Sequence, residues 1–128
     1  MDKKRVLLVE DNADNFELVR YLLERAGYEV IAAFDGQQGL ELARKELPDL
    51  ILMDLSIPKI DGWTAGRELK ADPRTARIPL LALTAHTLPG DRKRAMESGF
   101  DGYISKPLNV EGFEDGISKA LRAKSRKT

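Results

Sequence analysis

The sequence predicts an α/β domain of the (βα)5 kind, a doubly wound parallel sheet with helices on both faces. Three observations carry that expectation. Fully apolar runs recur at Val6-Leu7-Leu8-Val9, Leu50-Ile51-Leu52-Met53 and Leu80-Leu81-Ala82-Leu83, as expected of strands buried on both faces. Segments with apolar residues at helical spacing separate these runs. The helix exits Gly27-Tyr28 and Gly99-Phe100 share one grammar, a glycine stop followed by an aromatic entering the next strand. Alternation of strand and helix implies parallel strands joined by crossovers.

The elements follow in order. Residues 6–9 form the first strand. From Asn12 the period changes: Phe16, Val19, Leu23 and Ala26 share one helix face, and Gly27 supplies the C′ stop. Residues 29–34 read as a weaker strand. Asp35, with Gln38 three residues on, resembles a capping box opening a second helix, with Leu40, Ala43 and Leu47 inward and Pro48 at its end. Residues 50–53 form the third strand. Asp61-Gly62 opens a third helix through about Lys70, and 71–79 reads as a polar loop. After the strand at 80–83, Pro89-Gly90-Asp91 starts a helix that carries Ala95 and Met96 and stops at Gly99. Residues 102–105 form a short fifth strand. Asn109 then caps a last helix with Val110, Phe113, Ile117 and Leu121 inward, ending near Arg122. Strands 1, 3 and 4 are the most apolar and belong in the centre, with the mixed strands 2 and 5 at the edges. That selects the order 2-1-3-4-5, the order of flavodoxin-like folds.

Composition bounds the function. The 128 residues suit one domain, 1–128, with a core at about 5–122 and a short basic tail at 123–128; 42% are hydrophobic, enough for a proper core. Lys+Arg and Asp+Glu number 21 each, so no net charge draws the chain to nucleic acid or an anionic membrane. With no cysteine and one histidine, disulfides, thiol catalysis and histidine-rich zinc centres are excluded. No apolar run is long enough for a signal peptide or a membrane span. The expectation is a soluble, cytoplasmic domain. The tail residues Lys124, Arg126 and Lys127 lack interleaved aromatics and read as a solvated terminus.

Polar residues fall at the strand ends. Glu10-Asp11 follows strand 1, Asp54 strand 3, Thr84 strand 4 and Lys106 strand 5. In a parallel sheet all carboxyl ends share one edge, where ligands bind at the switch point. With strands 1 and 3 adjacent, three carboxylates converge and repel one another unless a cation joins them. Hard oxygen ligands suit Mg²⁺. Asp54 is the central candidate nucleophile, because a carboxylate can carry an aspartyl phosphate. Lys106 and the metal would neutralise the phosphoryl oxygens, and Thr84 would hydrogen-bond one. Any one of these residues alone reads as a turn former or cap; the set, each member after a different strand, is specific.

The motifs V-L-L-V-E-D-N (6–12), P-D-L-I-L-M-D (48–54), I-P-K-I-D-G (57–62), P-L-L-A-L-T-A (79–85) and G-Y-I-S-K-P-L (102–108) resemble a response-regulator receiver domain of two-component signalling, from about Arg5 to Leu121. The resemblance implies Asp54 as phosphoacceptor. It implies Asp11, Asp54 and the Ser56 backbone carbonyl as Mg²⁺ ligands, and Glu10 acting through metal-bound water. Lys106 would contact the phosphoryl group, and Thr84 would move toward it so that Tyr103, in the switch-aromatic position, rotates inward. The Lys106–Pro107 bond would be cis. Ser56 and His86 would tune phosphoryl lifetime. Trp63, near the start of the third helix, reads as packing. Such a protein is a phosphoacceptor switch rather than an enzyme with a separate substrate.

Partners follow from the same resemblance. A histidine kinase or histidine phosphotransfer protein would donate, and a protein target would bind the face made by the fourth helix, strand 5 and the last helix. The first helix carries a second apolar stripe, Leu18 and Leu22 beside Asn15. The donor would dock on Asn15, Leu18 and Leu108; packing of both leucines against the last helix is the competing reading. No output domain fits after residue 122, so a stand-alone, chemotaxis- or cell-cycle-type receiver is expected. A receiver excised from a hybrid kinase and a phosphorylation-independent binding module are the alternatives. A phosphatase with an aspartate nucleophile would need a second acid where Ser56 stands, and a flavodoxin would need a Ser/Thr-rich loop where Glu10-Asp11-Asn12 stands.

Overall fold

A strand apolar on both faces is stable only between two layers, and the chain places its three most apolar runs there. The computed structural model describes residues 3–55, 62–84, 93, 96–105 and 110–126, with Thr84, Ser105, Val110, Glu111 and residues 123–126 described by backbone. Strands β1 (Arg5–Val9), β2 (Glu29–Ala33), β3 (Leu50–Asp54), β4 (Leu80–Thr84) and β5 (Gly102–Ser105) form one sheet in the order β2-β1-β3-β4-β5, every pair parallel. Helices α1 (Ala13–Arg25), α2 (Gly36–Glu46), α3 (Gly62–Ala71) and α4 (Val110–Arg126) cover it. The architecture is flavodoxin-like, as expected.

The period of two along each strand divides the core. Leu7, Val9, Ile51, Met53, Leu80 and Ala82 point to one face, against Leu40 and Ala43 of α2, Ala65 and Leu69 of α3, and Phe100. Val6, Leu8, Leu50, Leu52, Leu81 and Leu83 point to the other, against Phe16, Val19, Leu22 and Leu23 of α1 and Phe113 and Ile117 of α4. Helix starts are capped by side chains: Asn12 Oδ1 accepts the Asn15 N–H at 2.9 Å, and Asp35 Oδ1 the Gln38 N–H at 2.8 Å. Gln38 Oε1 returns to the Phe34 N–H at 2.9 Å, closing the expected box one residue upstream of the cap.

Several sequence expectations are corrected. Ala26 is the C-cap of α1 and exposed, and Leu22 takes a core position instead. β2 ends at Ala33; Phe34 is half exposed and leans on Phe16 with ring centroids 5.1 Å apart. The segment after α3 is not simply polar: Thr75 and Ile78 are buried, and the Thr75 hydroxyl donates to Leu69 O at 2.6 Å. α4 runs to Arg126, into the residues read as tail. The start of the helix expected from Pro89-Gly90-Asp91 and the cap at Asn109 lie outside the described residues.

Leu47 does not point inward. It is the C-cap of α2 in the left-handed region (φ 47°, ψ 62°), which turns its side chain off the helix face and leaves it 53% exposed. A Cβ in that region costs energy that glycine avoids. Leu47→Gly relieves about 1–2 kcal/mol of left-handed strain and loses about 0.4–1 kcal/mol to the freer unfolded chain, so a net stabilisation is expected, read as a higher midpoint in urea.

Asp72, just past α3, accepts from Arg44 of α2 at 3.0 Å and from Arg74 through both side chain and backbone. The hydrogen bonds from Arg74 hold its carboxyl well below the usual range, at about 2. A depressed carboxyl stabilises the fold above its unfolded value and loses that contribution as pH falls through the folded one. Thermal midpoints of wild type and Asp72→Asn should thus differ at pH 6 and converge between pH 4 and 2.

Candidate functional site

Parallel pairing aligns the strand ends. Val9 pairs with Met53 and Asp54 with Leu83, while Thr84 pairs with Ser105. Residues 10, 11, 54 and 84 therefore share one edge, and Asp54 and Thr84 are the last residues of their strands. β1 continues past Val9 through a bond from the Glu10 N–H to Ala33 O at 3.0 Å, which carries the first acid to the rim of the sheet.

One carboxylate oxygen each of Glu10, Asp11 and Asp54 lies within 4.8 Å of the others. Their settings differ. Glu10 is fully buried and accepts the Asn12 N–H at 3.2 Å; Asp54 is 6% exposed; Asp11 faces solvent. Two buried carboxylates this close raise each other's energy when both are charged. A divalent cation removes the conflict, and Mg²⁺ takes oxygen ligands at about 2.1 Å with waters completing an octahedron. Two oxygens on opposite sides of such an ion are about 4.2 Å apart. Small side-chain rotations, or a water between Glu10 and the ion, bring this set to that spacing, so the residues present fit the metal.

Gly62 has a part in the site that its neighbours in sequence do not reveal. It begins α3, and a Cβ there would lie 2.7 Å from both Asp54 O and Leu55 Cα. The helix rests directly on the peptide that carries Asp54. The Asp-Gly pair at 61–62 was legible as a helix start, but not as a close contact with a strand end eight residues earlier.

Of the other expected site residues, Tyr103 lies in β5, half buried against the α2/α3 face. Trp63 packs against that same core and meets Phe100 edge-on, centroids 6.2 Å apart, as expected of a packing residue. The two leucines of α1 part company: Leu22 is 3% exposed in the core beside α4, and Leu18 is 49% exposed. The apolar stripe on α1 therefore reduces to Leu18, with half-buried Asn15 nearby on the helix. Ser56, His86, Lys106, Pro107 and Leu108 lie outside the described residues, as does the side chain of Thr84.

A central parallel sheet with an acid triad at its switch point defines a class, and comparison with known proteins gives its family. Residues 6–118 match the family model of the response regulator receiver domain, and the chain belongs to that family. The polar-differentiation response regulators DivK of Brucella anthropi and of Brucella ovis are each 42% identical over 118 residues, 92% of this chain and 96% of the relative. Among solved structures, the receiver domain of a sensor histidine kinase from Pseudomonas aeruginosa, with magnesium coordinated in its active-site cleft, is 34% identical at a TM-score of 0.87, covering 94% of this chain and 98% of that one. A response regulator structure from Chloroflexus aurantiacus is 30% identical at a TM-score of 0.91, covering 94% and 99%. This chain is thus a two-component receiver domain with DivK-like relatives. Among the described residues no helix is long and apolar enough to cross a membrane.

Proposed function

We propose that the chain is a phosphoacceptor switch, taking a phosphoryl group onto Asp54 from the histidine of a kinase or phosphotransfer protein. The observation that carries this reading is the convergence of Glu10, Asp11 and Asp54 within 4.8 Å at the carboxyl edge of the sheet. A carboxylate oxygen of Asp54 attacks phosphorus in line, the bond from phosphorus to the donor nitrogen breaks, and the imidazole, protonated on its other ring nitrogen, takes the bonding pair and leaves as the neutral base. Mg²⁺, when bound by Asp11, Asp54 and the Ser56 carbonyl, supplies charge neutralisation at the phosphoryl oxygens. Glu10 would help hold the ion through an intervening water. Lys106 neutralises a second phosphoryl oxygen, and the Thr84 hydroxyl donates to a third.

The added charge then draws Thr84 inward, and Tyr103 follows, changing a protein-binding face that includes β5 and α4. Ser56 and His86 set how easily water reaches the acyl phosphate. The exposed Leu18, with Asn15 and Leu108, receives the donor helix. On this reading the chain acts in the cytoplasm, without nucleic acid or membrane, and catalyses nothing beyond its own phosphorylation and dephosphorylation. The magnesium-bearing relative and the DivK relatives support the reading by kinship.

Intact mass after incubation with acetyl phosphate tests it. Wild type should gain one phosphoryl group only with Mg²⁺, and Asp54→Asn should gain none. Absence of the gain in wild type, joined to an unchanged spectrum with beryllofluoride and Mg²⁺, would leave a phosphorylation-independent binding module instead.

A further inference from the structure

We infer that Lys70 and Asp101 form a positioning pair that sets the register of β5 against β4; the functional consequence rests on the phosphoryl-switch reading above. β5 is an edge strand of four residues, paired with β4 alone from Leu81↔Gly102 to Thr84↔Ser105. An apolar and a polar face normally specify register, because a one-residue slip turns every side chain over. β5 lacks that contrast. Tyr103 packs against the α2/α3 face of the core and Ile104 against the α1/α4 face, both half buried. A slip would exchange two large apolar side chains between two apolar faces, so apart from the contact of Leu81 Cδ2 with the Gly102 position, where a Cβ would come within 2.5 Å, the pattern penalises it only weakly.

The register is held at the foot of the strand instead. The Asp101 N–H donates to Leu80 O at 2.7 Å, and Asp101 Oδ2 accepts the Leu80 N–H at 2.8 Å, so one residue takes both backbone groups of its neighbour in β4. The same oxygen accepts from Lys70 Nζ at 2.8 Å. The other two bonds of that ammonium go to Ala76 O at 3.1 Å and Ile78 O at 2.9 Å, in the segment leading into β4. Three donors meet three acceptors, and the feet of β4 and β5 are tied to one point on α3. With side chains 21% and 35% exposed, the pair holds by the number and geometry of its bonds rather than by burial.

Steric contacts reinforce the tie. Gly99 (φ 98°) lies against the Lys70 stem, where a Cβ would come 2.8 Å from Cγ, and Gly66 leaves room for the Phe100 ring, 2.7 Å from its own would-be Cβ. Trp63 adds the edge-on contact with Phe100. Positions 63, 66 and 70 share one face of α3 and grip three consecutive residues, Gly99, Phe100 and Asp101, so this stretch cannot slide along the helix. α3 begins at Gly62 on the Asp54 carbonyl, so one rigid element touches both the acid site and the foot of the strand bearing Tyr103.

The three carboxylates come from the β1 and β3 side of the edge, and the pair governs the β4 and β5 side. Lys70→Met, which keeps the stem, and Asp101→Asn, which keeps an acceptor for Leu80, therefore separate the two halves. Each variant should retain the wild-type far-UV spectrum and the Mg²⁺ concentration for half-maximal labelling by acetyl phosphate, within twofold. Each should lose at least fivefold in labelling rate at saturating Mg²⁺, with exchange of the β5 amides bonded to β4 at least tenfold faster and that of β1 and β3 unchanged. Wild-type rates and β5 exchange in both variants would overturn the inference. So would a joint fall in rate and Mg²⁺ affinity with faster exchange across the whole sheet, which marks general loosening. If β5 exchange rises selectively while wild type itself takes no phosphoryl group, the positioning pair stands and the phosphoryl reading falls.

Discussion

Gly62→Ala should cost about 3 kcal/mol of stability, the upper part of the range for overpacking a well-filled site. The added methyl would sit 2.7 Å from Asp54 O and Leu55 Cα, which are backbone atoms at the end of a buried central strand and have little freedom to retreat. The expected thermal shift is a fall of about 10 °C. Because relief must come from moving either α3 or the Asp54 peptide, the Mg²⁺ concentration needed for half-maximal labelling should rise as well. Gly66→Ala is the control: its methyl would press on the buried Phe100 ring, so stability falls while the metal requirement stays near wild type. Equal Mg²⁺ dependence in Gly62→Ala and wild type would show that α3 yields and the acid site does not.

Asp54→Asn is expected to reverse its effect on stability with the metal present. Carboxylate oxygens of Glu10 and Asp54 lie within 4.8 Å of each other, so the two groups repel when both are charged and no cation joins them. Hydrogen bonds to the carboxylates offset part of that repulsion, and a net gain of about 1 kcal/mol is expected for the neutral variant without metal. Mg²⁺ at ten times its dissociation constant adds about 1.4 kcal/mol to wild type and less to the variant, which has lost a ligand. Thermal midpoints should therefore rank Asp54→Asn above wild type in chelator, with the gap closing or inverting in millimolar Mg²⁺. A variant less stable than wild type in chelator would mean that the Asp54 carboxylate holds structure rather than strain.

Local periodicity made most of the fold legible. The runs at 6–9, 50–53 and 80–83 are apolar at every position because both faces of β1, β3 and β4 are covered, and that fact alone put them in the centre of the sheet. The cap at Asp35 and the stops at Gly27 and Gly99 were readable because each depends on neighbours within a few residues. Errors arose where a helix ends. Ala26 and Leu47 continue the apolar spacing, but the chain leaves the helix at each of them, and a side chain past the last turn no longer faces the core.

The placement of Glu10, Asp11, Asp54 and Thr84 at one edge was likewise determined by the sequence, since parallel strands of similar length must end together. Tertiary packing decided what periodicity cannot express. It buried Leu22 and left Leu18 exposed, although both lie on one apolar stripe, because α4 covers only one side of α1. It brought Gly62 onto the Asp54 carbonyl and closed Lys70 onto Asp101, 31 residues away. Spacing along the chain reports which face a residue occupies; which residue of another element meets it there depends on how the helices settle on a twisted sheet, and only the folded chain contains that information.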